Sequence, residues 1–337
     1  MPNRLRFTKM QGVGNDFIVV DGRRDTALDW STLSLELCDR HRGIGADGLL
    51  VLENTTLADV RMRMFNPDGT PDVCGNGLRC IARYAVERSI VPGDRLRIAT
   101  LAGVRDAIIN RFPDGSIVSV TVTMGVPHFK PSEIPMLLAS DRVIDYSLRL
   151  ENGVTLPISA LSTGTTHAVT FVDSLPGDVS FRAISREVEE HPLFPDRTSL
   201  MWCKVEDAHR LRLRIWERGA GETWGCGTGA CAAAVAAIEK RLVCPGAPVT
   251  VASRGGELTI SWREGEQIEM TGPAETVYEG TLSRTVTTAL LAAPTQRQPR
   301  STVWPAFAPT GQPQRQPGAS PQELGLSAKK GVLQCWI

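Results

Sequence analysis

Two short segments of the chain carry the same chemistry. Cys74-Gly-Asn-Gly77 is echoed 152 residues later by Cys226-Gly-Thr-Gly229, and each is followed by a second cysteine and an alanine-rich run, Cys80 to Glu87 and Cys231 to Glu239. A cysteine followed by glycine and a small capping residue, Asn76 or Thr228, reads as the start of a helix. The first N–H groups of a helix have no intrahelical acceptor, and its dipole is positive there. That environment is expected to lower a thiol pKa from about 8.5 toward neutrality and make a useful base. The same N–H groups, with Gly75 and Gly227 admitting close approach, form a cradle for a carboxylate. Two such starts facing each other suit inversion of a stereocentre beside a carboxylate. One thiolate removes the α-proton while the opposite thiol donates one, and the helix-end N–H groups stabilise the carbanion. No lysine lies in a recognisable pyridoxal-phosphate anchoring motif, so no cofactor is expected.

The duplication extends beyond the cysteines. The same offset maps Val20-Asp21 onto Val172-Asp173 and Gly12 onto Gly164. Two copies are too few for a solenoid, so they imply two similar domains facing each other. Strand-like runs bounded by Gly, Pro and Asp fall at Phe17–Val20, Gly48–Leu52, Val60–Phe65, Ser116–Met124, Ala168–Val172, Leu211–Trp216 and Glu257–Trp262. Helix-like stretches fall at Thr32–Arg40, Asn76–Ser89, Ser180–Glu190 and Thr228–Arg241. Strands outnumber helices, which predicts a mixed α+β architecture with substantial antiparallel sheet rather than a doubly wound parallel one. Gly43-Ile-Gly-Ala-Asp-Gly48 satisfies the dinucleotide fingerprint, but it follows a helix-like stretch and leads into a strand, the reverse of the required context.

Composition sets the remaining bounds. The 337 residues are 42% hydrophobic and 22% charged, ordinary for a globular protein, and 37 basic residues balance 37 acidic ones. Neither nucleic acid nor an anionic membrane is implied as a partner. No apolar run reaches the ~18 residues of a membrane span, and the N-terminal segment lacks the apolar core of a cleaved signal. The chain therefore reads as cytoplasmic. Eight cysteines with no C-x-x-C argue against a disulfide framework, a zinc site or any other metal centre, and predict free thiols. The last stretch, 293–337, holds seven of the 22 prolines amid glutamine and arginine, and is expected to be a disordered tail.

At these motifs the chain resembles the diaminopimelate epimerases. The resemblance rests on Lys9-Met-x-Gly-x-Gly-Asn-Asp-Phe17, Arg42-Gly-Ile-Gly-Ala-Asp47, Phe65-Asn66-x-Asp-Gly69, Cys74-Gly-Asn-Gly-x-Arg-Cys80, His191-Pro-Leu-Phe-Pro195, Glu217-Arg-Gly-Ala-Gly-Glu-Thr223 and Cys226-Gly-Thr-Gly-Ala-Cys231. It implies two pseudosymmetric domains, each a curved, mostly antiparallel sheet wrapped around a central helix, with the site in the cleft between them. The halves would be 1–124 plus 275–290 and 125–274, with Val277–Leu282 returning to the first. It implies cofactor-independent interconversion of LL- and meso-2,6-diaminopimelate for lysine and peptidoglycan synthesis, by a homodimer whose only partner is its small-molecule substrate. Cys74 and Cys226 would be the two bases. Asn15 would bind the amine at the reacting centre, and the N–H groups of Gly75, Asn76, Gly227 and Thr228 its carboxylate. Asn66 and Arg218 would face the distal carboxylate and Glu217 the distal ammonium, as the chemistry of an arginine fork and a carboxylate suits, with Ser199 in the distal-recognition set.

Two departures bear on substrate choice. Gly164-Thr165-Thr166-His167 stands where the family usually has Gly-Asn-Pro-His, and Ser199 stands where it usually has asparagine. A hydroxyl keeps a polar group but loses the reach and the paired donor and acceptor of an amide. Same-fold enzymes acting on proline, hydroxyproline or histidine, and a non-catalytic amino-acid-binding relative, are the alternatives.

Overall fold

A computed structural model describes residues 5–24, 28–151 and 153–282. The proline-rich stretch 293–337 lies outside the described residues. The first half runs β1 (Arg6–Gly12), β2 (Asn15–Asp21), α1 (Trp30–Leu37), β3 (Gly48–Glu53), β4 (Val60–Phe65), β5 (Pro71–Asp72), α2 (Gly75–Glu87), β6 (Arg95–Thr100), β7 (Gly103–Arg111) and β8 (Ile117–Gly125). The second repeats that order: β10 (Thr155–Ser162), β11 (Thr166–Phe171), α3 (Asp178–Glu189), β12 (Ser199–Asp207), β13 (Arg210–Glu217), β14 (Gly221–Thr223), α4 (Gly227–Glu239), β15 (Val249–Ser253), β16 (Gly256–Ser261) and β17 (Ile268–Gly272). Two further strands, β9 (Val143–Arg149) and β18 (Glu275–Thr281), follow the last strand of one half and pair with the first strand of the other.

The pairing pattern carries the duplication more plainly than the sequence does. In each half the first two strands form an antiparallel hairpin, the second pairs with the third in parallel, and the fourth pairs in parallel with the strand after the central helix. All other pairings are antiparallel, as the mixed composition predicts. The halves join where β8 and β17 run antiparallel, Met270 opposite Val122, at the centre of the pseudosymmetry.

Each sheet wraps around its long helix. α2 touches the strands of the first half from β1 to β8, α4 touches those of the second from β10 to β17, and the two helices meet. α4 is rich in alanine, with one valine and one isoleucine, and is buried along almost its whole length. A helix apolar on every side belongs inside, and small side chains let strands approach it from all directions. One hydrophobic core runs from Ile81 and Ala85 of α2 through Val122 and Met270 to Ala233 and Val235 of α4. α1 and α3 cover the outer faces over separate apolar clusters.

The predicted elements match to within a few residues. β1, β5, β6, β7, β9, β10, β12, β14, β15 and β17 are strands that the sequence patterns did not single out: some are too short to show alternation, others are broken by charged and polar residues, and β10 and β12 are buried along consecutive residues. Cys38, Cys74, Cys80, Cys203, Cys226 and Cys231 are free thiols as expected, whereas Cys244 is disulfide-bonded.

Candidate active site

Both cysteines cap their helices. Cys74 has φ −145° and ψ 115°, and its sulfur accepts from the Gly77 N–H at 3.3 Å. Cys226 has φ −130° and ψ 113°, and its sulfur accepts from the Gly229 N–H at 3.4 Å. The two starts lie against each other. A Cβ on Gly75 would meet Met270 Cε at 2.8 Å, and one on Gly227 would meet Met270 Sδ and Asn76 Oδ1, each at 3.2 Å. Thr163 Oγ1 donates to the Thr228 carbonyl at 2.9 Å, tying the hairpin of the second half to the start of α4. Cys74, Gly75, Thr228, Thr163 and Gly164 line a solvent-open cavity of about 40 Å³ together with Arg105 and Met124.

Asn15 joins this group at the start of β2. Its Nδ2 donates to Asp47 at 2.6 Å, and its Oδ1 faces both Asn76 Nδ2 at 3.3 Å and the Cys74 sulfur at 3.7 Å. On the other side, Glu217 at the end of β13 accepts from Thr223 Oγ1 at 2.5 Å and from the Cys226 thiol. Thr228 Oγ1 lies 3.4 Å from the same sulfur.

Electrostatics correct one expectation. The helix starts do not bring the thiols toward neutrality. Burial pushes Cys74 up to about 11 against the opposing N–H groups of Gly77 and Asn76. Burial, then the Glu217 carboxylate, pushes Cys226 well above its ordinary value. Desolvation penalises a thiolate more than two or three N–H groups compensate. Glu217 is itself raised by burial, with hydrogen bonds from Thr223 and Cys226 opposing.

The residues expected at the far end of a substrate form a looser set. Ser199 Oγ accepts from the Arg218 backbone N–H at 3.1 Å, so the serine positions the arginine's main chain. The exposed Arg218 guanidinium donates to the Asp196 carbonyl at 2.9 Å. Asn66 Nδ2 donates to Asp72 at 3.1 Å, and Asp72 is close enough to Glu217 to help raise it. Thr165 bonds His167 Nε2 at 3.0 Å, and His167 pairs in register with Ser199. Burial, with the Arg218 charge beside it, holds His167 neutral with a pKa of about 3. Thus the structure gathers Cys74, Asn15 and Asn76 in one cluster, Cys226, Thr228 and Glu217 in a second, and Ser199 with Arg218 in a third.

Asp47, Asp72, Thr163 and Thr223 are members the residue types did not point to. Asp47 and Thr223 end two of the quoted motifs, and that was their only signal. Among the described residues no cluster of three or more His, Cys, Asp or Glu could hold a metal ion, and no helix is long and apolar enough to cross a membrane.

Comparison with known proteins gives the family and the fold. The family model for diaminopimelate epimerase matches residues 7–130 and 159–277. The diaminopimelate epimerase of Pelotomaculum thermopropionicum is 43% identical over 281 residues, covering 82% of this chain and 98% of that protein. That of Aromatoleum aromaticum is 44% identical over 283 residues, covering 82% and 98%. Among solved structures, a hydroxyproline epimerase from Agrobacterium vitis superposes with a TM-score of 0.61 at 18% identity, covering 82% of this chain and 90% of that one. A PhzF-family phenazine biosynthesis protein from Bacillus anthracis does so with 0.59 at 18% identity, covering 83% and 99%. Those likenesses establish the two-domain fold; the sequence matches establish the family. The chain belongs to the diaminopimelate epimerase family of isomerases.

Proposed function

We propose that the protein interconverts LL- and meso-2,6-diaminopimelate by a two-base reaction between Cys74 and Cys226, without a cofactor. The observation that carries this reading is the pair of cysteines capping two helices whose starts touch. In the forward step a thiolate on one face takes the α-proton and becomes a thiol. The electron pair left on carbon delocalises into the carboxylate, held by the N–H groups around Gly75, Asn76, Gly227 and Thr228. The thiol on the opposite face then gives its proton to carbon and becomes a thiolate. One S–H bond forms, one breaks, and the configuration is inverted.

The raised thiol pKa values give substrate charge a part in this scheme. A buried thiolate gains from any cation beside it, and the α-ammonium, received by Asn15 Oδ1, brings one next to Cys74. At the far end Glu217 takes the second ammonium, and Arg218 with Asn66 and Ser199 the second carboxylate. The halves divide as 1–124 plus 275–290 and 125–274. A homodimer acting in the cytoplasm completes the reading, with sedimentation equilibrium as the check on its assembly.

The deciding experiment incubates purified protein in D2O with LL-diaminopimelate, proline, hydroxyproline and histidine. Deuterium at one α-carbon of diaminopimelate, with formation of the meso isomer, is the expected result. Faster exchange into proline or histidine would mean that Thr165 and Ser199 mark a changed substrate. Binding without exchange would mean a non-catalytic relative.

A further inference from the structure

Arg79 is fully buried, and its guanidinium has no carboxylate partner among the described residues. A buried cation is costly unless it is paired or has work to do. Its Nε donates to the Pro273 carbonyl at 3.1 Å, its Nη2 donates to Asn76 Oδ1 at 3.0 Å, and its Nη1 lies 3.5 Å from Met270 Sδ. The slot is shaped for it. A Cβ on Gly12 would lie 3.1 Å from Nη2, and one on Gly272 3.3 Å from Nε. In the second half, 152 residues on, the same helical position is Cys231, so only the first of the two helices carries this cation.

The hydrogen bonds run one way. Arg79 donates to Asn76 Oδ1, Asn76 Nδ2 donates to Asn15 Oδ1, and Asn15 Nδ2 donates to Asp47, which pairs with Arg40 at 2.7 Å. An arginine only donates and a carboxylate only accepts, so the two ends fix both amides. With Arg79 in place, Asn76 must turn its oxygen inward and its NH2 toward Asn15. Asn15 must then present its oxygen to the Cys74 side, the orientation that receives an ammonium.

We infer that Arg79 is a positioning residue. Through this chain it fixes Asn15 to accept the substrate's α-ammonium, and its charge lies behind the helix starts where the reacting carboxylate becomes more negative. The inference rests on the reading of Asn15 and the two cysteines given above. Two charged groups act on Cys74, Arg79 from its own helix favouring the thiolate and Glu217 from β13 opposing it.

The test compares Arg79→Met, Arg79→Lys and Asn76→Asp in the full-length protein. Asn76→Asp neutralises Arg79 and removes the NH2 link while leaving the shape in place, so it serves if Arg79→Met fails to fold. Misplacement of a positioning group lowers kcat by about 10²-fold, and that loss with KM within about threefold is expected for Arg79→Met and Asn76→Asp. The acidic limb of kcat/KM should move up by about one pH unit in both, because the cation behind the thiolate is removed in one and offset by a new carboxylate in the other. Arg79→Lys should recover most of the rate and leave the limb unmoved. A second arm needs no substrate: the pH midpoint for iodoacetamide labelling of Cys74 should rise in Arg79→Met and Asn76→Asp alone. This arm stands even if diaminopimelate proves the wrong substrate. Wild-type kcat and labelling in Asn76→Asp, or a lysine variant no better than methionine at equal thermal stability, would overturn the inference.

Discussion

At the start of α2 the Cys74 sulfur accepts from the third residue of the helix, and at the start of α4 the Cys226 sulfur does the same. Beyond that bond the surroundings diverge. Cys74 lies beside the Asn15 amide, which Asn76 and behind it Arg79 hold, whereas Cys226 faces a threonine and a carboxylate; the Glu217 charge reaches both sulfurs. The hairpin tips differ as well. Val13 and Gly14 both have positive φ, as a two-residue hairpin turn requires, and they press against Trp224, Gly225 and Gly255, leaving a Cβ on Gly225 only 2.5 Å from the Val13 carbonyl oxygen. The second tip, 163–165, opens onto the cavity beside Cys74, and a Cβ on Gly164 would meet nothing within 4 Å. Duplication preserved the backbone that makes a helix-capping thiol, and the side chains around it then specialised. The two-base reaction proposed above needs two such thiols, but diaminopimelate would bring a different group to each side of its α-carbon.

The sharpest way to break the comparison is to remove one base at a time. Cys74→Ala and Cys226→Ala should each lower epimerisation by about 10⁴-fold with little change in circular dichroism, since each face needs its own proton carrier. Full activity in either variant would sink the two-base model.

The closed and open tips should differ in stability. On Gly255 a Cβ would overlap the Val13 carbonyl oxygen, so Gly255→Ala should cost several kcal/mol by urea unfolding, in the range of severe steric variants. Gly164 has φ 107° and open space, so Gly164→Ala should cost only backbone strain, about 1–2 kcal/mol. Equal losses would mean that the two tips are not differently packed.

Substrate recognition gives a third contrast. Hydrogen bonds to charged groups contribute about 1.5–3 kcal/mol and neutral ones about 0.5–1.5. Arg218→Met should therefore cut kcat/KM for diaminopimelate by roughly 10- to 100-fold, and Ser199→Ala by no more than about tenfold. A silent Arg218→Met would remove the distal-head reading.

His167, 152 residues on from Asn15, supplies the smallest test. Its folded pKa of about 3 lies below the unperturbed value near 6.5. As pH falls below 6.5 the unfolded chain takes up this proton and the folded one does not. This contribution is intact above 6.5 and is lost at up to about 1.4 kcal/mol per pH unit as pH falls toward 3. Stability of His167→Gln should fall less steeply between pH 6 and 4, and an unchanged slope would mean that the imidazole is not held neutral.

The sequence by itself determined the duplication, the mixed strand-rich architecture and the two helix-starting cysteines. Each rests on short-range chemistry: a repeat offset, a turn residue, a cap. Cys74, Cys226, Asn15 and Glu217 were legible because their residue types stand inside motifs. Only the tertiary structure decided that β8 and β17 run side by side where the halves join, because strand partners many residues apart leave no local trace. It also decided the protonation of the thiols. Local reasoning at a helix start counts the N–H groups that favour a thiolate, but the desolvation that outweighs them comes from strands and loops packed over the sulfur. Arg79 illustrates the same limit. Its place in Cys74-Gly-Asn-Gly-x-Arg79 was visible, yet only the folded chain buries its guanidinium, since Gly12, Met270 and Gly272 reach it from distant parts of the chain.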